Sequence, residues 1–297
     1  MNLCGIFSDS KWTTKAILLL GIPFFLMIFS SVIMYLIQMA MGIESTNAST
    51  SWLLVEQGVV STLTFIVGAF LYIYLTHKNP MAYLGMTPTG NIWLYIIASI
   101  AMFCIMPLVS ATAVWNDSLK LPQALQELEK LMRLMEDTAN DFTIQLMSES
   151  GAVHLFSALF VMAFIPALGE ELLFRGCIQK GLENKIGNAH VAVWVTAFIF
   201  SFIHFQFYGF LPRAILGVAL GYFYVYGKSL WIPIWAHFLN NATSVLAYKM
   251  LYQETGETNL STMGAPQELL FPAIAGGLLY VAAMLFFVLV ARYRKPQ

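Results

Sequence analysis

Long apolar runs alternate with short polar stretches along this chain, and the runs have the length of membrane-crossing helices rather than of strands or short core helices. Eight of them, approximately 16–38, 57–76, 92–115, 155–181, 189–207, 209–227, 230–250 and 269–291, approach the ~20 residues a helix needs to cross a bilayer core. The pattern predicts an all-α, polytopic membrane protein with about eight transmembrane helices. Gly58, Gly68, Gly217 and Gly221 supply small residues that let helices approach closely in lipid. The one long connection, 116–150, carries Leu121, Leu125, Leu128, Met132 and Met135 at helical spacing. That spacing predicts an amphipathic helix on the outer surface, with Glu129 and Arg133 as an exposed i, i+4 pair. No repeat or separable soluble region interrupts the pattern, so 1–297 reads as a single membrane domain.

Composition sharpens this picture. The chain is 59% hydrophobic and only 10% charged, where a soluble domain carries ~25% charged residues. A net charge of −1 with scattered Lys and Arg leaves no basic surface for a phosphate backbone, which argues against nucleic acid as a partner. The lipid bilayer is the expected partner instead. Cys4, Cys104 and Cys177 form neither a CxxC pair nor a disulfide framework. The first apolar run, behind Lys11 and Lys15, is longer than the ~7–15 residues of a signal-peptide core, and reads as a retained span.

Charge also sets direction. With alternating spans, Lys11, Lys15, Lys78, Lys180, Lys185, Lys228, Arg292, Arg294 and Lys295 fall on one side, while the opposite loops near 39–56 and 251–267 have Glu44, Glu56, Glu254 and Glu257 but no Lys or Arg. By the positive-inside rule both termini are expected in the cytoplasm. A bacterial inner membrane is the expected location.

Several ionisable groups stand out against the apolar background. Each costs roughly 2.5–3.5 kcal/mol at mid-bilayer, so a retained one usually faces a cavity and has a function. Glu170, Glu171 and Arg175 lie in the fourth run. Glu171 and Arg175, at i, i+4, meet on one face, while Glu170 points about 100° away. An isolated ExxxR is more often a buried pair that fixes packing; the adjacent second Glu has no such explanation. His204 ends the fifth run, and His237 and Asn241 sit at i, i+4 in the seventh. A lone membrane His is more often a hydrogen-bonded core residue than a catalyst, but two of them followed by an Asn one turn on suggest an oxyanion or metal site. At 1.5 Å per residue, Glu170 is about 17 Å, His204 about 22 Å and the His237–Asn241 turn about 10–17 Å from their cytoplasmic helix ends, so they can meet near mid-membrane. This requires the fourth helix to run on past Gly176. His77, His154 and His190 fall near span ends, and Arg213 reads as a snorkelling residue. No HExxH, GxSxG or GxGD sequence occurs.

Glu170-Glu171-x3-Arg175, Phe200-x3-His204 and His237-x3-Asn241, in this order on successive membrane helices, resemble the CPBP family, named for CAAX proteases and bacteriocin-processing enzymes and also called Abi. The likeness is to its type II CAAX prenyl endopeptidases, and the motif-bearing core is about 150–250. The resemblance implies an intramembrane peptidase that hydrolyses a bond in a membrane-embedded or membrane-anchored peptide substrate. It implies that Glu170 with His204 activates water, that His237 with Asn241 stabilises the oxyanion, and that Glu171 and Arg175 support the site. The family is often labelled metalloprotease. Zinc is possible with Glu170, His204 and His237 as ligands, but Asn is a poor zinc ligand, and the favoured expectation is that no cofactor is required. The alternative is a non-proteolytic membrane immunity or scaffold protein that keeps the polar core.

Overall fold

The computed structural model describes residues 3–44, 48–255 and 269–293, with side chains of 251–255 left aside. Among these residues the fold is helical, without strands. The helices are α1 Trp12–Ala40, α2 Thr50–Thr76, α3 Pro80–Leu84, α4 Ile92–Asp117, α5 Gln126–Met147, α6 Ala152–Ile186, α7 Ala189–Phe202, α8 Phe210–Gly227, α9 Trp231–Thr255 and α10 Leu270–Arg292. Among the described residues six of them, α1, α2, α4, α6, the stretch Phe207–Gly227 that contains α8, and α10, are long and apolar enough to cross a membrane. This is a multi-pass membrane protein.

Two of the eight expected spans depart from that standard. α7 has 14 residues, which reach only about 21 Å, because the chain leaves the helix at Phe202 rather than near 207. α9 has 25 residues, but His237, Asn240 and Asn241 interrupt its apolar run. The amphipathic helix expected in 116–150 is present as α5. Its expected Glu129–Arg133 pair is replaced by other partners: Glu129 accepts the Leu121 N–H at 2.9 Å, and Arg133 pairs with Asp117 at 2.7 Å. Those partners are the last residue of α4 and a residue of the connection after it, and the contacts tie both to the helix.

The chain forms two compact units. The first comprises 1–88, 146–192 and 229–245, the second 89–145, 193–228 and 246–297. In the first, α2 packs against α1 and α6. Gly58 lets Val161 approach, and Gly68 faces Pro23 of α1. Leu54, Leu146 and Val161 form a buried cluster. In the second, α4 and α10 lie along one another. A Cβ on Gly276 would stand 2.6 Å from the Cys104 carbonyl oxygen, so only glycine permits this crossing. Phe223 of α8 meets Phe287 of α10 edge to face.

Candidate active site

α6 is continuous through Gly176, as the depth argument requires, but it is not uniformly wound. Two stretches, Leu159–Phe164 and Leu172–Gln179, are π-helical. The first precedes Pro166, which has no N–H to donate and so disfavours the regular pattern there. Wide turns of this kind are frequent at functional sites, and here they bracket the Ile165–Glu171 segment that carries both glutamates. Gly169 places that segment hard against α2: a Cβ there would lie 2.7 Å from Phe65 Cβ.

Glu171 and Arg175 are fully buried and joined by a 2.7 Å Oε1···Nη1 contact, as their i, i+4 spacing predicts. The same Glu171 oxygen also receives His237 Nδ1 at 2.9 Å. On the other side of the imidazole, His237 Nε2 stands 3.9 Å from Glu170 Oε2. One histidine therefore lies between two carboxylates of adjacent residues. The Glu170 side chain keeps 12% of its surface exposed, where Glu171 keeps none. Glu171 thus holds two partners, and Glu170 keeps a small exposed fraction beside the imidazole.

The helix that delivers His237 is fixed at its start by backbone acceptors of the chain after α3. Leu230 N–H donates to Gly85 O at 3.3 Å, Ser229 Oγ to Thr87 O at 2.8 Å and Trp231 Nε1 to Met86 O at 2.8 Å. Beside the imidazole, Phe238 packs edge to face on Phe164 of α6 at 6.5 Å and against Trp235 at 6.0 Å. Asn241 lies one turn after His237 on α9, and its Oδ1 accepts from Asn240 Nδ2 at 3.1 Å.

His204 lies in the second unit. It is not on a helix, as expected, but in the turn that follows α7, just before Phe205 at φ 54°. Its Nδ1 is 2.7 Å from Phe200 O, which fixes the ring back onto the last helical turn. The chain beyond it is held by buried Glu136 of α5, whose Oε2 accepts the Tyr208 N–H at 3.1 Å. Burial pushes the Glu136 carboxyl above its ordinary value, although the Tyr208 N–H and Arg213 oppose that rise. Arg213 donates to Gln206 Oε1 at 2.8 Å, so it ties this loop together rather than snorkelling. Arg133 lies 3.2 Å above the Tyr208 ring.

The other histidines have local partners. His154 is 3.6 Å from Glu149. His77 stacks on Tyr83 at 3.6 Å and shares a 2.9 Å hydrogen bond with Thr76. Burial first, then the Lys15 and Lys180 ammonium groups, pull the His77 imidazole down to about 4.

A catalytic zinc takes three protein ligands and an open position. In the first unit, Glu170 and His237 Nε2 are two donors on one side, but Glu171 faces Arg175 and the opposite nitrogen. Among the described residues no three His, Cys, Asp or Glu side chains are arranged to hold an ion. Within the first unit the candidate ligands are Glu170 and His237, and His204 lies in the other unit.

Comparison with known proteins points to the same stretch of chain. Residues 152–243 match the family model described as type II CAAX prenyl endopeptidase Rce1-like. This segment is similar to that family over about a third of the chain. It contains every site residue named above, from Glu170 to Asn241. A protein of Bacillus subtilis (strain 168), uncharacterized protein YpbD, is 27% identical over 88 residues, which cover 28% of this chain and 42% of that protein. No solved structure matches the chain.

The sequence singled out Glu170, Glu171, Arg175, His204, His237 and Asn241, and the first unit brings Glu170, Glu171, Arg175 and His237 into one network, with His204 in the other unit. It did not foresee the bond between Glu171 and His237. No spacing rule links residues 66 positions apart, and only the fold reveals it.

Proposed function

We propose that this protein is an intramembrane endopeptidase that hydrolyses a peptide bond of a membrane-embedded or membrane-anchored substrate. The observation that carries the reading is the division of labour between adjacent glutamates. Glu171 is locked between Arg175 and His237, while the partly exposed Glu170 faces the imidazole's other nitrogen. Glu170 takes the proton of the attacking water as general base. Asn241 donates to the oxyanion that forms on the substrate carbonyl. Arg175 and Glu171 position the imidazole. The part expected of His204 in activating water rests on the motif resemblance alone.

The reaction proceeds without a required metal, a reading supported by Asn241, which is a poor zinc ligand and a natural oxyanion donor. Activity that is lost on exhaustive chelation and restored by zinc alone would overturn it. The location proposed is a bacterial inner membrane with both termini cytoplasmic. A cysteine at position 183 is then not labelled from outside sealed cells. Sites 47 and 259, on the loops expected outside, lie beyond the described residues.

The family description makes a farnesylated Cys-a-a-X peptide the first substrate to try. Incubation of purified protein with such membrane-anchored peptides, read by mass spectrometry, tests the reading. New termini produced by the intact protein support a peptidase. Intact peptides throughout would favour an immunity or scaffold protein in which the same network serves packing.

A further inference from the structure

We propose that Lys15, His77 and Lys180, at one end of the first unit, bind the phosphate group of an anionic phospholipid. This goes beyond the peptidase reading and does not depend on it. The ends of three spans build the site. α2 stops at Thr76, which leaves its last carbonyls without helical partners. Gly5 and Phe7 N–H donate to two of them, Tyr74 O and Leu75 O, both at 2.8 Å. The segment before α1 is thereby laid against the end of α2, and Lys15, in the first turn of α1, comes near His77. From α6 comes Lys180, whose Nζ donates to the Tyr83 carbonyl and lies 4.7 Å over the Tyr83 ring of α3. His77 stacks on the same ring at 3.6 Å.

Both ammonium groups rest on neutral acceptors. Lys15 Nζ donates to Ser8 O at 2.6 Å, as Lys180 does to Tyr83 O, and each ammonium has further N–H donors to offer a ligand. Among the described residues neither lies within 4.0 Å of a carboxylate: Asp9 pairs with Lys78 at 3.6 Å, and Glu183, one turn on along α6, acts on Lys180 from farther away. The field at the imidazole is therefore positive. Burial and then the two ammonium charges hold His77 down to about 4, and what opposes them is a backbone hydrogen bond at Ile73 rather than a carboxylate. Thr76 Oγ1 donates to Tyr72 O at 2.6 Å and so accepts from His77 Nδ1 at 2.9 Å. Nε2 is left to take up a proton and donate to an oxyanion.

The level of the cluster selects a lipid over a free anion. Lys15 begins a span and His77 directly follows one. Lys180 lies near the end of a 35-residue helix, which at ~1.5 Å per residue outruns the ~30 Å hydrocarbon core. Headgroup phosphates stand at that level, and basic pockets between helix ends there bind acidic headgroups. Just beyond Lys15, α1 exposes Ile17 and Leu20, so acyl chains have an apolar span to lie along. The connection that stacks Tyr83 on His77 also carries Gly85, Met86 and Thr87, whose carbonyls hold the start of α9. A lipid that fixes His77 and Lys180 therefore stabilises the first unit by mass action.

The test titrates the His77 ring by NMR in purified protein in detergent, with His77→Gln identifying its signal, and measures melting temperature on the same samples. Added phosphatidylglycerol is expected to raise the His77 midpoint by about 1–3 pH units, the effect of an opposite charge within ~4–6 Å, and to raise the melting temperature. Phosphatidylcholine, neutral overall, and inorganic phosphate at the same concentration should do neither. Lys15→Gln, which gives up the Ser8 contact alone, and Lys180→Gln should each need about fivefold more phosphatidylglycerol for half the rise in melting temperature, the share of one basic residue at an anionic surface. Lys130→Gln, on an exposed pair of α5, should need no more than the intact protein. An unmoved His77 midpoint, an unchanged lipid requirement in Lys15→Gln, or an equal loss in Lys130→Gln overturns the site. An equal response to inorganic phosphate or to phosphatidylcholine overturns the anionic lipid as its ligand.

Discussion

Glu171 Oε1 and His237 Nδ1 lie 2.9 Å apart across two helices, and the same oxygen holds Arg175 at 2.7 Å. This one atom links a buried ion pair to an imidazole whose other nitrogen stands 3.9 Å from Glu170. What reads in the sequence as a structural pair and a separate histidine is one unit.

Removal of Arg175 should therefore damage stability and activity together. Breaking a buried ion pair by deleting one partner costs about 3–5 kcal/mol, because the remaining charge is left uncompensated. Arg175→Ala should lower the melting temperature in detergent by many degrees. An unchanged melting temperature would contradict the assignment.

Gly169→Ala tests the contact of α6 with α2. The added methyl would meet Phe65 Cβ at 2.7 Å, and overpacking of this kind costs about 1–3 kcal/mol. A loss of thermal stability without any change at the glutamates themselves is the expected result. Wild-type stability would show that the two helices have room to separate.

Glu136→Ala leaves the buried Tyr208 N–H without its acceptor, a cost of about 1–3 kcal/mol. Faster hydrogen exchange at residues 203–209 is expected, with little change in α6. Unchanged exchange there would mean that Glu136 does not hold the loop after His204.

His77 predicts an acid sensitivity. Its folded value, about 4, lies below the ordinary 6.5, so the unfolded chain takes up this proton first as the pH falls. Its contribution to stability is present above about pH 6.5 and is lost progressively between 6.5 and 4. His77→Gln should flatten the dependence of melting temperature on pH over that window. An identical slope in the variant would remove His77 from the account.

The sequence revealed the helices and the chemistry-bearing residues because a bilayer imposes a strong signal: apolar runs of fixed length, in which Glu170, Glu171, Arg175 and His237 are conspicuous exceptions. The Glu171–Arg175 bond followed from helical spacing alone. The early end of α7 was not legible, because apolar Ile203 and Phe205 flank His204 and nothing in hydropathy announces the left-handed turn at Phe205. The partners of Glu129 and Arg133 were misread for a related reason. Helical spacing proposes the i, i+4 pair, but the end of α4 and the connection after it bring Asp117 and the Leu121 N–H to these side chains instead. The wide turns around the glutamates have a sequence cue only at Pro166; for Leu172–Gln179 no residue type explains them.

The central claim is that Glu170, rather than its buried neighbour, performs the chemistry. Its most direct test is the rate of peptide cleavage by purified Glu170→Gln beside the intact protein, with melting temperatures measured on the same samples. The account predicts that Glu170→Gln melts within a few degrees of the intact protein and loses ~10²-fold or more in cleavage. Cleavage at the intact rate by a well-folded Glu170→Gln would contradict it.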